Sequence, residues 1–356
     1  PPPPLPPNNP LAGARAAYLI ADTPAELMLA QARLHRKGAA REHVFANSAL
    51  LQYGPYHNRL ARLYGSRWPL HPDEETATGM IGPQVLSALL VALSRSNEVF
   101  YLHPSFGYFF ESVEARPRGL TYLLQVLPSD RALLTPLSDT ELAENQRFWE
   151  EAEPAISKIP PPPDRAPADW QWMAQLYSRA LNCWGVTLQQ HDRPKDATKW
   201  FELAAKISPV NSVAATNLAF NRLLLGGSAP KALDLTQAAE ELTKNHPNLE
   251  ELLRAFGYFD EPAWLYRLAA NYMQGSLFRQ SLVAFSRLHR LLPDANTVDL
   301  WRQVMQVMTK FGAGDVANAE KEALALYEKY PKEDGVLEAL TQLNLMTGRF
   351  TNALEF

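Results

Sequence analysis

From Ser178 to Asn211 the chain reads SRALNCWGVTLQQHDRPKDATKWFELAAKISPVN, and this stretch limits the possible folds more than any other. Leu181, Trp184, Gly185 and Leu188 share one face of a first helix. Ala197, Phe201 and Ala204 share one face of a second, and Pro209 stops it. Two antiparallel helices can approach closely only where a small side chain sits at their crossing and a large one fills the gap beside it. From Pro262 to Ala295 the same slots are filled without a gap by Leu265, Leu268, Ala269, Tyr272, Ser281, Phe285, Leu288 and Pro293.

A pair of helices recurring at a period of ~34 residues is the pattern of tetratricopeptide repeats, which stack into a solenoid. Two weaker copies follow. Asn211 to Pro247 keeps Leu218, Ala219, Ala232 and Pro247 with an insertion of about three residues relative to that period. Val298 to Pro331 keeps Ala319, Ala323, Leu326 and Pro331. Lys332 to Phe356 reads as a further helix and the start of another, with Gly348 at the turn and Ala353 at the crossing. The pattern breaks off inside a repeat, as expected of a trimmed chain.

A length of 356 residues sets an expectation of two domains, and 46% hydrophobic residues suffice for packed cores. The net charge of −4 and the scattered Lys and Arg give no footprint for nucleic acid. The single cysteine, Cys183, excludes an intramolecular disulfide and reads as a buried structural thiol. No apolar run reaches the ~18–20 residues of a membrane span; the longest, Val85 to Leu93, reads as a core helix. With Pro1 first and no signal peptide in view, the expectation is a mature or internal fragment.

Proline placement divides the chain into a proline-rich lead (1–10), a small α/β domain (11–130), a bridging helix with a stiff proline-rich linker (131–169) and an all-α repeat solenoid (170–356). In the α/β part, Ala16 to Ala21 reads as a buried strand. Thr23, Pro24 and Glu26 form an N-cap, a first-turn proline and a capping box, opening a helix that Gly38 ends. His43 to Asn47 is a second strand, giving a right-handed β-α-β unit. A helix over Tyr56 to Tyr64, another opened by Gly82 and Pro83, a strand from Glu98 to Leu102 and a β-rich segment from Gly119 to Leu127 complete it. Ser138 and Glu141 form a second capping box, starting the helix expected to bridge to or cap the solenoid.

Ligands of parallel α/β sheets collect beyond the carboxyl ends of the strands. Two candidate places lie there: Asp22 after the first strand, and the turn carrying His103, Ser105, Tyr108 and Glu111 after the third. These side chains offer hydrogen bonds to a sugar or a phosphate; the competing reading is a turn shaped by Pro104 and Gly107 over packed aromatics. No nucleotide, hydrolase or metalloprotease motif is present and the histidines are not spaced as ligands, so no catalytic residue, cofactor or metal is expected. In the repeats, Arg179, Asn182, Val186, Gln189, Thr216, Phe220, Tyr266 and Met273 occupy the inward positions of first helices and would line a groove for a protein or peptide partner.

The runs AAYLIADTPAELMLAQARLHRKG, LQYGPYHNRLARLYGSRWP, EVFYLHPSFGYFFESVEARPRGLTYLL and PLSDTELAENQRFWE, above all His103-Pro104-Ser105-Phe106-Gly107 followed by Glu111 and Arg118-Gly119-Leu120, carry a resemblance. Residues 16–155 resemble the region behind the transmembrane helices of a bacterial multi-pass membrane family related to transmembrane protein O-mannosyltransferases, which tetratricopeptide repeats commonly follow. The resemblance implies an extracytoplasmic, periplasmic or cell-surface, accessory region of a glycosyltransferase-like protein. Any transferase chemistry and membrane attachment would reside in a portion outside this chain, so no catalytic residue carries over. Two other readings stay open: a stand-alone repeat scaffold in a larger assembly, and a sugar- or phosphate-binding α/β domain.

Overall fold

The computed structural model describes residues 17–70, 78–103, 106–128, 135–159, 167–227, 235–246 and 248–354. It is mostly helical, with one five-stranded mixed sheet near the N-terminus, and it divides into an α/β unit and a helical unit. Among the described residues no helix is long and apolar enough to cross a membrane.

The α/β unit runs β1 (Tyr18–Ala21), α1 (Pro24–Arg36), β2 (Val44–Asn47), α2 (Gly54–Tyr64), α3 (Pro83–Ser96), β3 (Val99–Tyr101), β4 (Val113–Arg118), β5 (Thr121–Val126) and α4 (Asp139–Ile156). The sheet order is β2-β1-β3-β5-β4, with β2, β1 and β3 parallel and the β4–β5 hairpin antiparallel. All four β1 residues are buried because both faces are covered. Tyr18 and Ile20 face α2, α3 and Trp68, while Leu19 and Ala21 face Leu27 and Leu34 of α1. Each fully buried Leu or Ile contributes about 1.5–3 kcal/mol, so this sandwich fixes the strand register. The first strand pairs on one side with β2 and on the other with β3, so the strand order reverses around it, the place where ligands of such sheets bind.

The β4 strand was not expected: its sequence VEARPR is charged and contains Pro117, and it is tolerated because β4 is the sheet edge. Gly119 takes φ +64 in the two-residue hairpin loop, and the Phe148 ring lies where its Cβ would be, 2.8 Å away. The α4 helix, expected to bridge to or cap the helical region, packs on this hairpin. Asn145 accepts from the Gly119 amide (2.8 Å) and donates to the Pro117 carbonyl (3.0 Å). Arg116, also bound to Glu114, forms a forked pair with Glu141. The second capping box forms as expected, Ser138 and Glu141 satisfying each other's backbone amides. The Arg116 hydrogen bonds hold the Glu141 carboxyl down at about 2.

The helical unit runs α5 (Ala168–Gln190), α6 (Pro194–Ile207), α7 (Ser212–Leu225), α8 (Leu235–Asn245), α9 (Leu249–Phe256), α10 (Pro262–Gln274), α11 (Phe278–Leu291), α12 (Asn296–Gly312), α13 (Val316–Lys329), α14 (Asp334–Met346) and α15 (Phe350–Ala353). At the first crossing Gly185 is held against Phe201, whose ring a Cβ would meet at 2.6 Å. Ala269 is buried at the position corresponding to Gly185, and Ala319 and Ala323 are buried at second-helix positions corresponding to Ala197 and Phe201.

One turn recurs. The amides of Arg193, Leu277, Asp315 and Arg349 donate to the carbonyls of Leu188, Tyr272, Lys310 and Asn344, at 2.8–3.0 Å. The residues before them, Asp192, Ser276, Gly314 and Gly348, all have positive φ. This is the Schellman end of a helix folding back on its successor. Between the second and third helix pairs stand α9 and an irregular segment, Gly257 to Asp260, that the spacing of helix pairs does not include.

Candidate functional site

At the reversal point of the sheet, three strand ends deliver polar side chains to one place. Asp22 follows β1, Ser48 follows β2 and Tyr101 ends β3; the Ser48 and Tyr101 hydroxyls both donate to Asp22 Oδ1. Asn47 Nδ2 donates to the Asp22 carbonyl (3.1 Å), and the Asp22 amide donates to His103 Nε2 (2.9 Å). His103 Nδ1 lies 3.8 Å from Asp22 Oδ2, and its Nε2 lies 3.2 Å from Glu26 Oε2. The His103 ring stands edge-on to Tyr101, 5.3 Å between centroids. His103 and Glu26 are buried, with 4% and 6% exposure, whereas Asp22 keeps a solvent edge.

The Nε2 atom faces two partners that ask opposite things of it. Accepting the Asp22 amide requires a bare lone pair; an attractive contact to Glu26 requires a proton there or on the carboxyl. Two carboxyl groups at the start of α1 oppose an anion and offer acceptors to hydroxyls, which favours a sugar over a phosphate. Among the described residues no group of three or more His, Cys, Asp or Glu is placed to hold a metal ion.

The structure brings together Asp22 and His103, which the sequence offered as two separate candidate places, and adds Glu26, Ser48 and Tyr101. Glu26 does not close a capping box: Thr23 makes no side-chain cap bond, and the carboxyl turns inward to His103. Tyr108 and Glu111 fall on a short 3-10 turn (Tyr108–Glu111), where Tyr108 packs on Phe109 and the sheet core. Burial pushes the Tyr108 phenol up. Ser105 lies outside the described residues.

In the helical unit, the inward residues expected to line a groove hold the chain's own segment instead. Asn182 Nδ2 donates to the carbonyls of Phe256 (3.0 Å) and Tyr258 (3.1 Å), and Arg179 to that of Arg254 (2.8 Å). Asn217 donates to Asn182 Oδ1 and to the Tyr258 carbonyl, each at 2.8 Å, and accepts from the Asp260 amide (2.9 Å). The Asp260 carboxylate is fully buried; it receives Arg287 as a fork (2.9 and 2.6 Å), Gln189 (2.7 Å) and Gln190 (3.3 Å). Phe259 stacks flat on Trp264, 4.1 Å between centroids. Gly257, at φ +90, crosses so close to Cys183 that a Cβ would lie 2.5 Å from its Sγ. Burial raises the Cys183 thiol to about 11 against the main-chain hydrogen bond from Tyr258, so it is unreactive while covered.

Of the remaining groove candidates, four serve the helical packing and Thr216 stays at the surface edge. Val186 and Phe220 are buried, Tyr266 meets Phe285 edge-on, Met273 packs on the core and Thr216 is half-buried. Asn217, Asp260 and Arg287 were missed: the first sits beside a predicted position, the second outside any repeat, the third on a second helix. Comparison with protein-family models, curated proteins and solved structures finds no match.

Proposed function

We propose that this chain is the extracytoplasmic, partner-recognising region of a bacterial membrane glycosyltransferase-like protein, and that its helical unit is a tetratricopeptide-repeat solenoid binding a protein or peptide. The observation that carries the binding role is the asparagine pair on α5 and α7: Asn182 and Asn217 hold main-chain groups between Phe256, the last residue of α9, and Asp260 by four side-chain hydrogen bonds. Donors and acceptors locked at this spacing read peptide backbone whatever its source. The recurring Schellman turns and the Gly185–Phe201 crossing support the repeat assignment. Placement beside a membrane transferase rests on the sequence resemblance over residues 16–155. Selection of a displayed peptide library on the purified chain tests the binding role. Recovery of peptides that bind in the micromolar range supports it, and a selection that returns none, with the chain verified as folded, refutes it.

A second reading is carried by the Asp22, Glu26 and His103 cluster: the α/β unit holds a sugar through hydroxyl donors to these carboxyl groups. Titration calorimetry with a panel of methyl glycosides tests it, with Asp22→Asn and Glu26→Gln expected to abolish any heat. Binding that survives both substitutions removes the reading.

A further inference from the structure

We infer that the end of the α/β unit opposite the Asp22 and His103 cluster is a docking surface for anionic lipid head groups. The inference deepens the placement beside a membrane and rests on it for the choice of lipid over other polyanions.

Because β1, β2 and β3 are parallel, Tyr18, Val44 and Val99 start side by side, and the cluster lies beyond the strands' other ends. A helix packed on such a sheet returns the chain to the starting edge, so α1 ends shortly before β2 and α3 just before β3. The last turn of α1 carries Arg33 and Arg36, and Lys37 follows; α2 ends with Arg62 and α3 with Arg95. Arg41 lies in the short turn before β2. The chain after α2 is tied to the same edge, because the Tyr18 hydroxyl donates to the Arg67 carbonyl and the Arg67 guanidinium donates to the Arg41 carbonyl (2.9 Å). Residues 33–42, 62–67 and 95–98 thus bring together seven Lys and Arg side chains and two acids, Glu42 and Glu98. That is a local excess of five positive charges in a chain whose net charge is −4.

A cation in the last turn of a helix also answers the helix dipole. That accounts for Arg36, Arg62 and Arg95. It does not account for Arg41 and Arg67, which lie outside the α-helices, or for Leu63, which is 61% exposed beside Arg62. An exposed apolar side chain among cations suits a lipid interface, where charge attraction and shallow insertion act together. Single-stranded nucleic acid would ask for exposed aromatic rings, but Tyr64 is half-buried, with the Arg67 guanidinium over its ring (5.5 Å to the centroid). The chain also enters the unit at this edge: Ala17, whose carbonyl accepts from the Val44 amide (3.0 Å), leads directly into β1. A membrane-attached portion ahead of Ala17 would hold this edge towards the lipid.

The test is co-sedimentation of the full chain with vesicles of phosphatidylcholine alone and of equal parts phosphatidylcholine and phosphatidylglycerol. The salt is about 0.1 M, where charges are screened over about 10 Å. Each Lys or Arg close to an anionic surface strengthens partitioning about fivefold. The parent should therefore favour the anionic vesicles by at least about tenfold and lose that preference in about 1 M salt. Arg36→Gln, Lys37→Gln, Arg41→Gln and Arg62→Gln together, all at exposed positions, should weaken binding at least about tenfold. Lys195→Gln, Lys206→Gln, Lys244→Gln and Lys332→Gln change the net charge equally at exposed positions of the helical unit, and should weaken it less than about twofold.

Equal partitioning to the two vesicles, equal losses from the two sets of substitutions, or no binding by the folded parent overturns the inference. Tighter binding of the parent to duplex DNA than to anionic vesicles, lost in the first set, assigns the edge to nucleic acid and overturns the lipid form. Should the first fourfold variant fail to fold, Lys37→Gln and Arg41→Gln decide singly: about fivefold weaker binding by each supports the inference, and unchanged binding overturns it. Absence of vesicle binding leaves the membrane placement standing, since a tethered region can stand clear of the lipid. A failed peptide selection leaves the lipid surface standing.

Discussion

Asp260 is fully buried, and its carboxylate is the meeting point of four hydrogen bonds from three side chains. Replacing it with alanine leaves the Arg287 guanidinium, itself buried, without a counter-charge. Stranding one member of a buried ion pair costs about 3–5 kcal/mol, much of it the desolvated partner rather than the lost attraction. With a denaturant dependence of about 2–3 kcal/mol per molar urea for a unit of this size, the midpoint of the helical transition falls by roughly 1–2 M. The second step is more discriminating. Arg287→Met alone strands the carboxylate and carries a similar cost, whereas Asp260→Ala with Arg287→Met strands neither charge, so the double change costs at least about 2 kcal/mol less than the sum of the singles. Urea unfolding followed by circular dichroism at 222 nm, which the helices dominate, reads all four corners. A single Asp260→Ala cost under about 1 kcal/mol, or strictly additive losses, would show that solvent reaches the pair and refute the reasoning.

Glu141 is held near 2 in the folded chain against an ordinary value of 4.5, so its contribution is full above pH 4.5 and disappears as pH falls towards 2. The full shift would correspond to about 3 kcal/mol, and solvent screening at the carboxylate edge reduces this to about 1–2 kcal/mol. Glu141→Gln should flatten that part of the stability–pH curve; an unchanged acid limb contradicts it. At the first helix crossing, Gly185→Ala places a methyl 2.6 Å from the Phe201 ring and should cost about 1–3 kcal/mol, recovered in part by Phe201→Leu. Equal losses with and without the second substitution would show that another contact is responsible. Thr23→Ala should change stability by less than about 0.5 kcal/mol, because Thr23 makes no cap bond, although a working N-cap is worth about 0.5–2 kcal/mol. A loss above 1 kcal/mol in a thermal melt would restore the capping box that the structure lacks.

The helix crossings were legible because they are local: Gly185 and Phe201 meet within one helix pair, only sixteen positions apart in sequence. Ser138 and Glu141 were legible for the same reason. The same sequence signature misled at Thr23 and Glu26. There a histidine 77 positions away draws the carboxyl inward to the strand ends, and nothing near Glu26 announces it. Asp22 and His103 were found from a rule about strand ends, while Ser48 and Tyr101 escaped because single hydroxyls carry no pattern. The β4 strand was hidden by its own proline and charges, which only an edge position excuses. The segment from Gly257 to Asp260 was illegible because its order comes from long-range partners on α5, α7 and α11 rather than from any period of its own. Arg179, Asn182 and Gln189 of α5, expected to line a groove, bond the chain's own residues 254–260, which sequence spacing could not foresee.

The most direct measurement is a hydrogen-exchange footprint of the full chain with and without a library-selected peptide. The account predicts that the bound peptide changes protection on the inner faces of α5 and α7, around Arg179 to Gln189 and Asn217, together with the segment Gly257 to Asp260. A footprint confined to other surfaces, or protection unchanged with peptide bound, would contradict it.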